Sequence, residues 1–253
     1  MRHPRRAPRR HRGRLGPVVL KVAAPRCVLV TGAFGVLGAA VARRFMREGV
    51  RLGLIDRVAV PHWATQEFGP PHQLCGGVDL SDARAAGAAV RAIGEAGGGL
   101  DVLVNVAGGF QWQPLTEGSH EVWEAMFTIN LKTAVIACSA ALPYLAARGA
   151  GRIINIGAGA AARAGAGMGA YAASKAGVER LTESLAEELK DRNITVNSIL
   201  PGTLDTPRNR GDMPQADFSR WVAPEAVADV VSFLASEAAR AVTGAAVRVS
   251  GRG

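Results

Sequence analysis

From Cys27 onward, short apolar runs alternate with runs of helical period. CVLVTG (27–32) is apolar, β-branched and closed by Gly, which predicts a buried strand entering a turn. Behind it Leu37, Val41 and Phe45 recur at i, i+4 and i+8, which predicts a helix over 37–48. RLGLID (51–56) predicts a second strand, and QLCGGVD (73–79) a third, weakened by two glycines. PHWATQEFGPPH (61–72) between them reads as a loop of Pro and polar residues. Ser81 is expected to cap an Ala-rich helix that stops at glycines 97–99. DVLVNVAG (101–108) predicts a buried strand, and 119–147 a long helical region with a bend expected at Pro143. RIINIG (152–157) predicts a strand and 169–191 a helix. TVNSILPG (195–202) and AAVRVSG (245–251) predict the last strands, separated by a loop and a helix after Pro224.

Strands and helices alternating at this spacing predict one α/β domain, a doubly wound and mostly parallel sheet with helices on both faces. No composition break marks a second domain, and no run approaches the eighteen or so uninterrupted apolar residues of a membrane span. Composition changes the picture at one place. The formal charge of +9 is not a property of the body: residues 1–26 hold nine of the 30 Lys and Arg and no acid, leaving 21 basic against 21 acidic residues. Residues 1–26 are therefore expected as a basic, disordered arm and 27–253 as the folded domain. Such an arm could attract phosphate or anionic lipid weakly, and its Arg-rich start has the composition of a transit peptide, although prolines break the amphipathic helix. LGPVVLKVAAP is too short and too interrupted for a secretory signal. Cys27, Cys75 and Cys138 show neither metal spacing nor a disulfide framework, so a reducing, cytoplasmic setting is expected, with neither metal, membrane nor nucleic acid as partner of the folded body.

Two stretches carry candidate chemistry. VTGAFGVLG places Gly32, Gly35 and Gly38 between the first strand and its helix, in a G-x-x-G-x-x-G spacing. A tight turn, close backbone approach and a helix N-terminus together favour a pyrophosphate, while strand–helix packing alone also accounts for glycines there. Asp56 ends the second strand, where a carboxylate accepts hydrogen bonds from the ribose hydroxyls of NAD and repels the extra phosphate of NADP; Arg57, directly after it, softens that discrimination and leaves NADP open. The second stretch holds Tyr171 and Lys175, four apart on one helical face. A phenol titrates near pH 10 unperturbed, so it needs a neighbouring ammonium to serve as an acid/base group near neutrality.

TGAFGVLG, VDL with Asp79, NVAG (105–108), Asn130 in FTINLKTA, YAASK (171–175) and PGTLDT (201–206) occur in order, and from Cys27 to the C-terminus the chain resembles the short-chain dehydrogenase/reductases. The resemblance implies a Rossmann-type sheet of about seven strands and an NAD(P)-dependent oxidoreductase. It implies Tyr171 as proton donor, Lys175 as its partner and Asn130 as anchor of a relay water. It assigns cofactor contact to Gly32, Gly35, Leu37, Gly38, Asp56 and Asp79, and further to Asn105, Ala107, Gly108, Gly202 and Thr206, the last facing the nicotinamide carboxamide. Helical regions 119–147 and 169–191 would form a subunit interface of a dimer or tetramer.

The chain departs from the family at Ala158, thirteen residues before Tyr171, where most members carry Ser. Between Ile156 and Tyr171 no Ser, Thr, Asp, Glu, His or Cys occurs. Losing an oxyanion donor typically costs about 3 kcal/mol. LPGTLDTPRNRGDMPQADFSRW (200–221), the glycine spacing and VAGG (106–109) resemble the dihydropteridine reductase branch, which works without that Ser, prefers NADH and reduces a quinonoid dihydropterin. Phe110, Trp112 and Trp221 could form an aromatic wall for a flat substrate, or be packing residues. A general carbonyl or alcohol reductase and a catalytically weak NAD(P)-binding sensor remain as alternatives.

Overall fold

The apolar runs become the strands of one sheet in the computed structural model, which describes residues 27–252. The basic segment 1–26 lies outside the described residues. The strands are β1 (Cys27–Thr31), β2 (Arg51–Ile55), β3 (Gln73–Cys75), β4 (Val102–Asn105), β5 (Gly151–Ile156), β6 (Ile194–Pro201) and β7 (Ala246–Val249). All seven are parallel, in the order β3-β2-β1-β4-β5-β6-β7. The helices are α1 (Val36–Met46), α2 (His62–Glu67), α3 (Ala83–Gly97), α4 (His120–Met126), α5 (Thr133–Ala147), α6 (Gly169–Leu189), α7 (Pro207–Asp212) and α8 (Pro224–Ala235).

Period-two alternation sorts each central strand between two cores. Val28 and Val30, Val102 and Val104, Ile154 and Ile156 face the layer of α1 and α8. Leu29, Leu103 and Ile153 face the layer of α3, α5 and α6. Because both faces are covered, these strands read as continuous apolar runs rather than as alternating ones. The chain order reverses between β1 and β4, which opens a crevice at their carboxyl ends.

Several local expectations shift. Residues 61–72 contain a short helix, α2, where a loop was expected. Ala64 and Phe68 bury there one turn apart, too brief a period to stand out among the prolines. The cap of α3 is Asp82 rather than Ser81: its carboxylate accepts from the Arg84 and Ala85 N–H groups at 2.8 and 3.2 Å. β3 stops at Cys75 because the chain at Gly76 turns against the Val60 backbone, where a Cβ would lie 2.3 Å from the Val60 nitrogen. The irregularity in 119–147 is a π-helical segment, Phe127–Lys132, and Pro143 lies inside α5. The run His120–Ala147 is long and apolar enough to cross a bilayer by length and composition, yet Ala137, Cys138, Ala141 and Leu145 bury in the core of this domain.

Candidate active site

The glycine turn after β1 sorts its three glycines by cause. Gly32 has φ +62°, and a Cβ there would lie 2.8 Å from the Ala107 backbone. A Cβ at Gly38 would lie 2.1 Å from the Gly32 carbonyl oxygen. Both positions are dictated by the chain's own packing. Gly35 is different: its nearest neighbour would be 3.4 Å away, an ordinary contact. It is the N-cap of α1 without a side-chain cap, and the next backbone N–H groups, Leu37's among them, have no intrahelical partner. The Leu37 side chain is buried in the core below. The opening left at Gly35 thus suits the close approach of a phosphate to helix-terminal donors.

Asp56 is tied to this turn. One carboxylate oxygen accepts from the Phe34 N–H at 2.9 Å and the other from the Val58 N–H at 3.2 Å. Each oxygen keeps a free acceptor site, as a ribose hydroxyl requires. Asp79 is exposed and accepts from the Ser81 N–H at 2.8 Å. Ser81's hydroxyl and N–H hold its carboxyl below the usual range, aided by Arg57 and Lys132. A cavity of about 400 Å³ lies between Arg57 and the α4 side, lined by Glu121, Glu124, Met126 and Ile129 among others. Across the crevice, the Thr31 hydroxyl accepts from the Val106 and Ala107 N–H groups at 3.1 and 3.2 Å, locking the loop after β4 to the end of β1. The residues present therefore fit a dinucleotide: a Cβ-free cradle with unpaired donors at one end and an anchored carboxylate at the other.

Tyr171 and Lys175 stand on the first turns of α6. Lys175 Nζ is buried and donates to the Ile156 carbonyl at 2.8 Å; burial pulls its pKa down to about 8. Tyr171 is half-buried, and burial pushes its phenol up to about 12, opposite to the lowering expected from the Lys175 ammonium, because desolvation disfavours the phenolate. A Cβ at Gly108 would sit 2.7 Å from Asn130 Oδ1 and 3.3 Å from Lys175 Nζ, so these three positions converge. Asn130 lies buried in the π-helical segment. Its Oδ1 accepts from the Gly109 N–H at 2.9 Å, and its Nδ2 donates to the Gly109 carbonyl at 3.1 Å and to Ser174 Oγ at 3.0 Å. Ser174 donates in turn to the Tyr171 carbonyl at 2.7 Å. The loop after β4 is thereby coupled to the first turn of α6.

Other expected site residues hold structural bonds. Asn105 is buried and donates to Asn155 Oδ1 at 2.9 Å and toward Cys138 Sγ at 3.2 Å; Asn155 continues to Thr182 at 2.9 Å, so this chain braces β4, β5 and α6. Asn105 Oδ1 has no partner among the described residues. Thr206 caps α7, accepting from the Asn209 N–H at 3.2 Å with Pro207 in the first turn. The Gly202 N–H donates to the Val249 carbonyl at 2.9 Å.

Ala158 follows β5 in an extended conformation and is buried, with only a methyl group to offer. The aromatic residues divide. Phe110 meets Tyr171 edge to face, centroids 5.0 Å apart. Trp112 reaches the turn before α6 through an N–H bond to the Ala166 carbonyl at 2.9 Å. Trp221 pairs with Phe218 at 4.7 Å, within the 204–222 segment. Sequence reasoning passed over Thr31 and Ser174, although a hydroxyl directly before Gly32 and another three residues after Tyr171 were visible signals. The reach of Trp112 to Ala166 had none, because 54 positions separate them.

A family model described as short chain dehydrogenase matches residues 26–216. The chain is 34% identical over 242 residues to a galactitol 2-dehydrogenase (L-tagatose-forming) of Cereibacter sphaeroides, covering 89% of this chain and 93% of that one. It is 31% identical over 234 residues to the 3-oxoacyl-(acyl-carrier-protein) reductase FabG of Thermotoga maritima, covering 88% and 95%. It is 30% identical over 253 residues to the uncharacterized oxidoreductase YvrD of Bacillus subtilis, covering 89% and 95%.

Proposed function

The chain belongs to the short-chain dehydrogenase/reductase family and is an NAD(P)-dependent oxidoreductase of small molecules, and we propose that it uses NADH to reduce a planar, activated acceptor such as a quinonoid dihydropterin. The observation that carries this reading is Ala158: the position at which the family's Ser would polarise a carbonyl offers no donor. An activated acceptor takes up hydride and a proton without that help. The likeness of 200–221 to dihydropteridine reductase supports the same substrate class.

When bound, the dihydronicotinamide supplies the hydride. The turn at Gly35 and the first N–H groups of α1 would hold its pyrophosphate, and Asp56 its adenosine ribose. Asp56, a carboxylate held by two backbone N–H groups, supports NADH over NADPH. Tyr171 gives the proton. Its raised pKa keeps the phenol protonated at neutral pH, the form a donor needs in the reductive direction. Lys175, buried beside Gly108, stabilises the phenolate left behind and draws on its remaining N–H donors to steady the ribose. Asn130 holds Gly109, and through it the floor of the site. Exposed Phe127 and Val135 on the 120–147 helical run support a homo-oligomer formed through that surface, and the three free thiols suit a reducing compartment.

A second reading, reduction of an ordinary ketone, is supported by the likeness to the 3-oxoacyl reductase. An acceptor panel separates the two. With NADH the wild type is expected to reduce quinonoid acceptors far faster than ketones, and Tyr171→Phe to lower kcat by about a hundredfold or more while NADH binding persists. Undiminished turnover in Tyr171→Phe would remove the proton-donor assignment.

A further inference from the structure

In sequence, a buried hydroxyl stands between the proposed proton donor and its lysine. Ser174 lies on α6 with none of its surface open, and the chemistry proposed above gives it no part. A serine inside a helix ordinarily satisfies its hydroxyl on the preceding turn, and Ser174 does so, donating to the Tyr171 carbonyl at 2.7 Å. It also makes a bond that such a serine does not need: it accepts from Asn130 Nδ2 at 3.0 Å, across 44 positions of chain. With its one proton spent on Tyr171, the hydroxyl presents only lone pairs to Asn130, which fixes the end of that amide that faces α6. Gly109 fixes the other side, its N–H on Oδ1 at 2.9 Å and its carbonyl on Nδ2 at 3.1 Å. Both donors of the amide are thereby used, in a π-helical segment, a form that frequently marks functional sites. A chain of hydrogen bonds thus runs from Gly109 through Asn130 and Ser174 to the backbone of Tyr171.

We propose that Ser174 is a positioning residue for proton transfer: by tying the Tyr171 turn to Asn130, it holds the phenol in fixed register with the Gly108–Gly109 floor of the site. The inference rests on the reduction proposed above and gives Ser174 no contact with substrate or cofactor. Proton transfer needs donor and acceptor at hydrogen-bond distance, so a shift of about 1 Å in the Tyr171 turn costs rate without costing affinity. The fold does not depend on this bond. Bare backbone at Gly169 and Gly177 lets the Trp123 ring and the Leu131 side chain close on α6; a Cβ at those glycines would lie 3.3 and 2.8 Å from them. Those contacts set how near the two helical runs lie, and the Ser174 hydroxyl sets their register. The Tyr171 carbonyl, four residues before Lys175, keeps its own helical bond when the hydroxyl is removed.

The test compares wild type, Ser174→Ala and Ser174→Thr in the full chain, with NADH and the faster of two acceptors, a quinonoid dihydropterin and an open-chain ketone. Ser174→Ala is expected to lower kcat by about tenfold while KM for the acceptor and Kd for NADH change by less than about twofold. It is also expected to raise the solvent isotope effect on kcat, because the proton step has become the slow one. Ser174→Thr keeps a hydroxyl able to bond the same turn and is expected to return kcat to within about threefold of wild type. If Ser174→Thr does not fold, the isotope effect in Ser174→Ala decides the matter. An unchanged kcat in Ser174→Ala, or a loss shared equally by kcat, KM and NADH affinity with the isotope effect unmoved, would overturn the positioning role and leave the proposed reduction standing. A wild type that binds NADH and reduces neither acceptor would overturn the reduction, and the positioning role with it.

Discussion

The loops after β1 and β5 both leave the carboxyl edge of the sheet and both lead into a helix, but they are held in opposite ways. After β1 the chain turns within four residues, Gly32–Gly35, and backbone locks backbone: Gly32 against Ala107, Gly38 against the Gly32 carbonyl. After β5 it wanders through twelve residues, Gly157–Met168, and its end is fastened by another loop, through the Trp112 indole and the Gln113 N–H. The first loop has one conformation for steric reasons and suits a ligand common to a whole family. The second borrows its shape from elsewhere, so a change in the donor loop can re-form it. The proposed cofactor end is rigid by construction, and the proposed substrate end is specified by its neighbours.

The largest expected break in this contrast is at Gly38. Gly38→Ala drives a Cβ to 2.1 Å from the Gly32 carbonyl, with no flexible side chain to yield. It is expected to cost about 3 kcal/mol of stability in urea unfolding. Gly35→Ala is the counterpart: its φ of −76° and its 3.4 Å contact accept Ala, so stability is expected to hold within about 1 kcal/mol while NADH binds more weakly, as titration of cofactor fluorescence would read. If both variants unfold alike, the sorting of the glycines by cause is wrong.

In the second loop, Ala158→Ser adds a hydroxyl where the chain offers only a methyl. Ketone reduction is expected to rise by up to about a hundredfold in kcat/KM, with quinonoid reduction changed little. An unchanged ketone rate would mean that this loop does not bring position 158 to the substrate, and that the difference between the two loops is deeper than one side chain.

The smallest expected effect joins the two ends through Lys175. Its folded pKa of about 8 lies below the ordinary 10.5, so the buried ammonium weakens the fold in full below pH 8. As pH rises from 8 toward 10.5 the folded state loses its proton first, the unfolded state binds more protons, and stability climbs by on the order of 2 kcal/mol. Tyr171 acts oppositely, but only above its ordinary value near 10, where the unfolded phenol ionises before the folded one. Between pH 8 and 10 the thiols of Cys27, Cys75 and Cys138, pushed up by burial, pull stability down, and the rising contribution is that of Lys175. It is expected to vanish in Lys175→Met, measured as the difference in unfolding free energy between the two proteins across that window.

Much of the site could be read along the chain. Gly32, Asp56, Tyr171 and Lys175 each sit where a strand ends or a helix starts, and local period and spacing are enough to mark such places. Asp82 as the cap of α3, α2 inside a Pro-rich stretch and the π-helical segment around Asn130 were not legible, because each depends on competition between neighbouring groups of similar propensity. The bracing role of Asn105 was hidden for a different reason: its partners Asn155 and Cys138 come from other elements.

By itself the sequence determined the parallel seven-stranded α/β domain, the glycine turn with its carboxylate, and the Tyr171–Lys175 pair. Hydrophobic period and short-range sterics are local quantities, and these features follow from them. Tertiary structure alone decided which of the three glycines the fold demands and which it does not, how far burial moves the pKa values of Tyr171 and Lys175, and what holds the loop that carries Ala158. Those are matters of close approach and desolvation between residues distant in the chain. The missing serine was legible in the chain; the contacts of Trp112 with Gly167 and of Phe110 with Tyr171 became visible only in the fold.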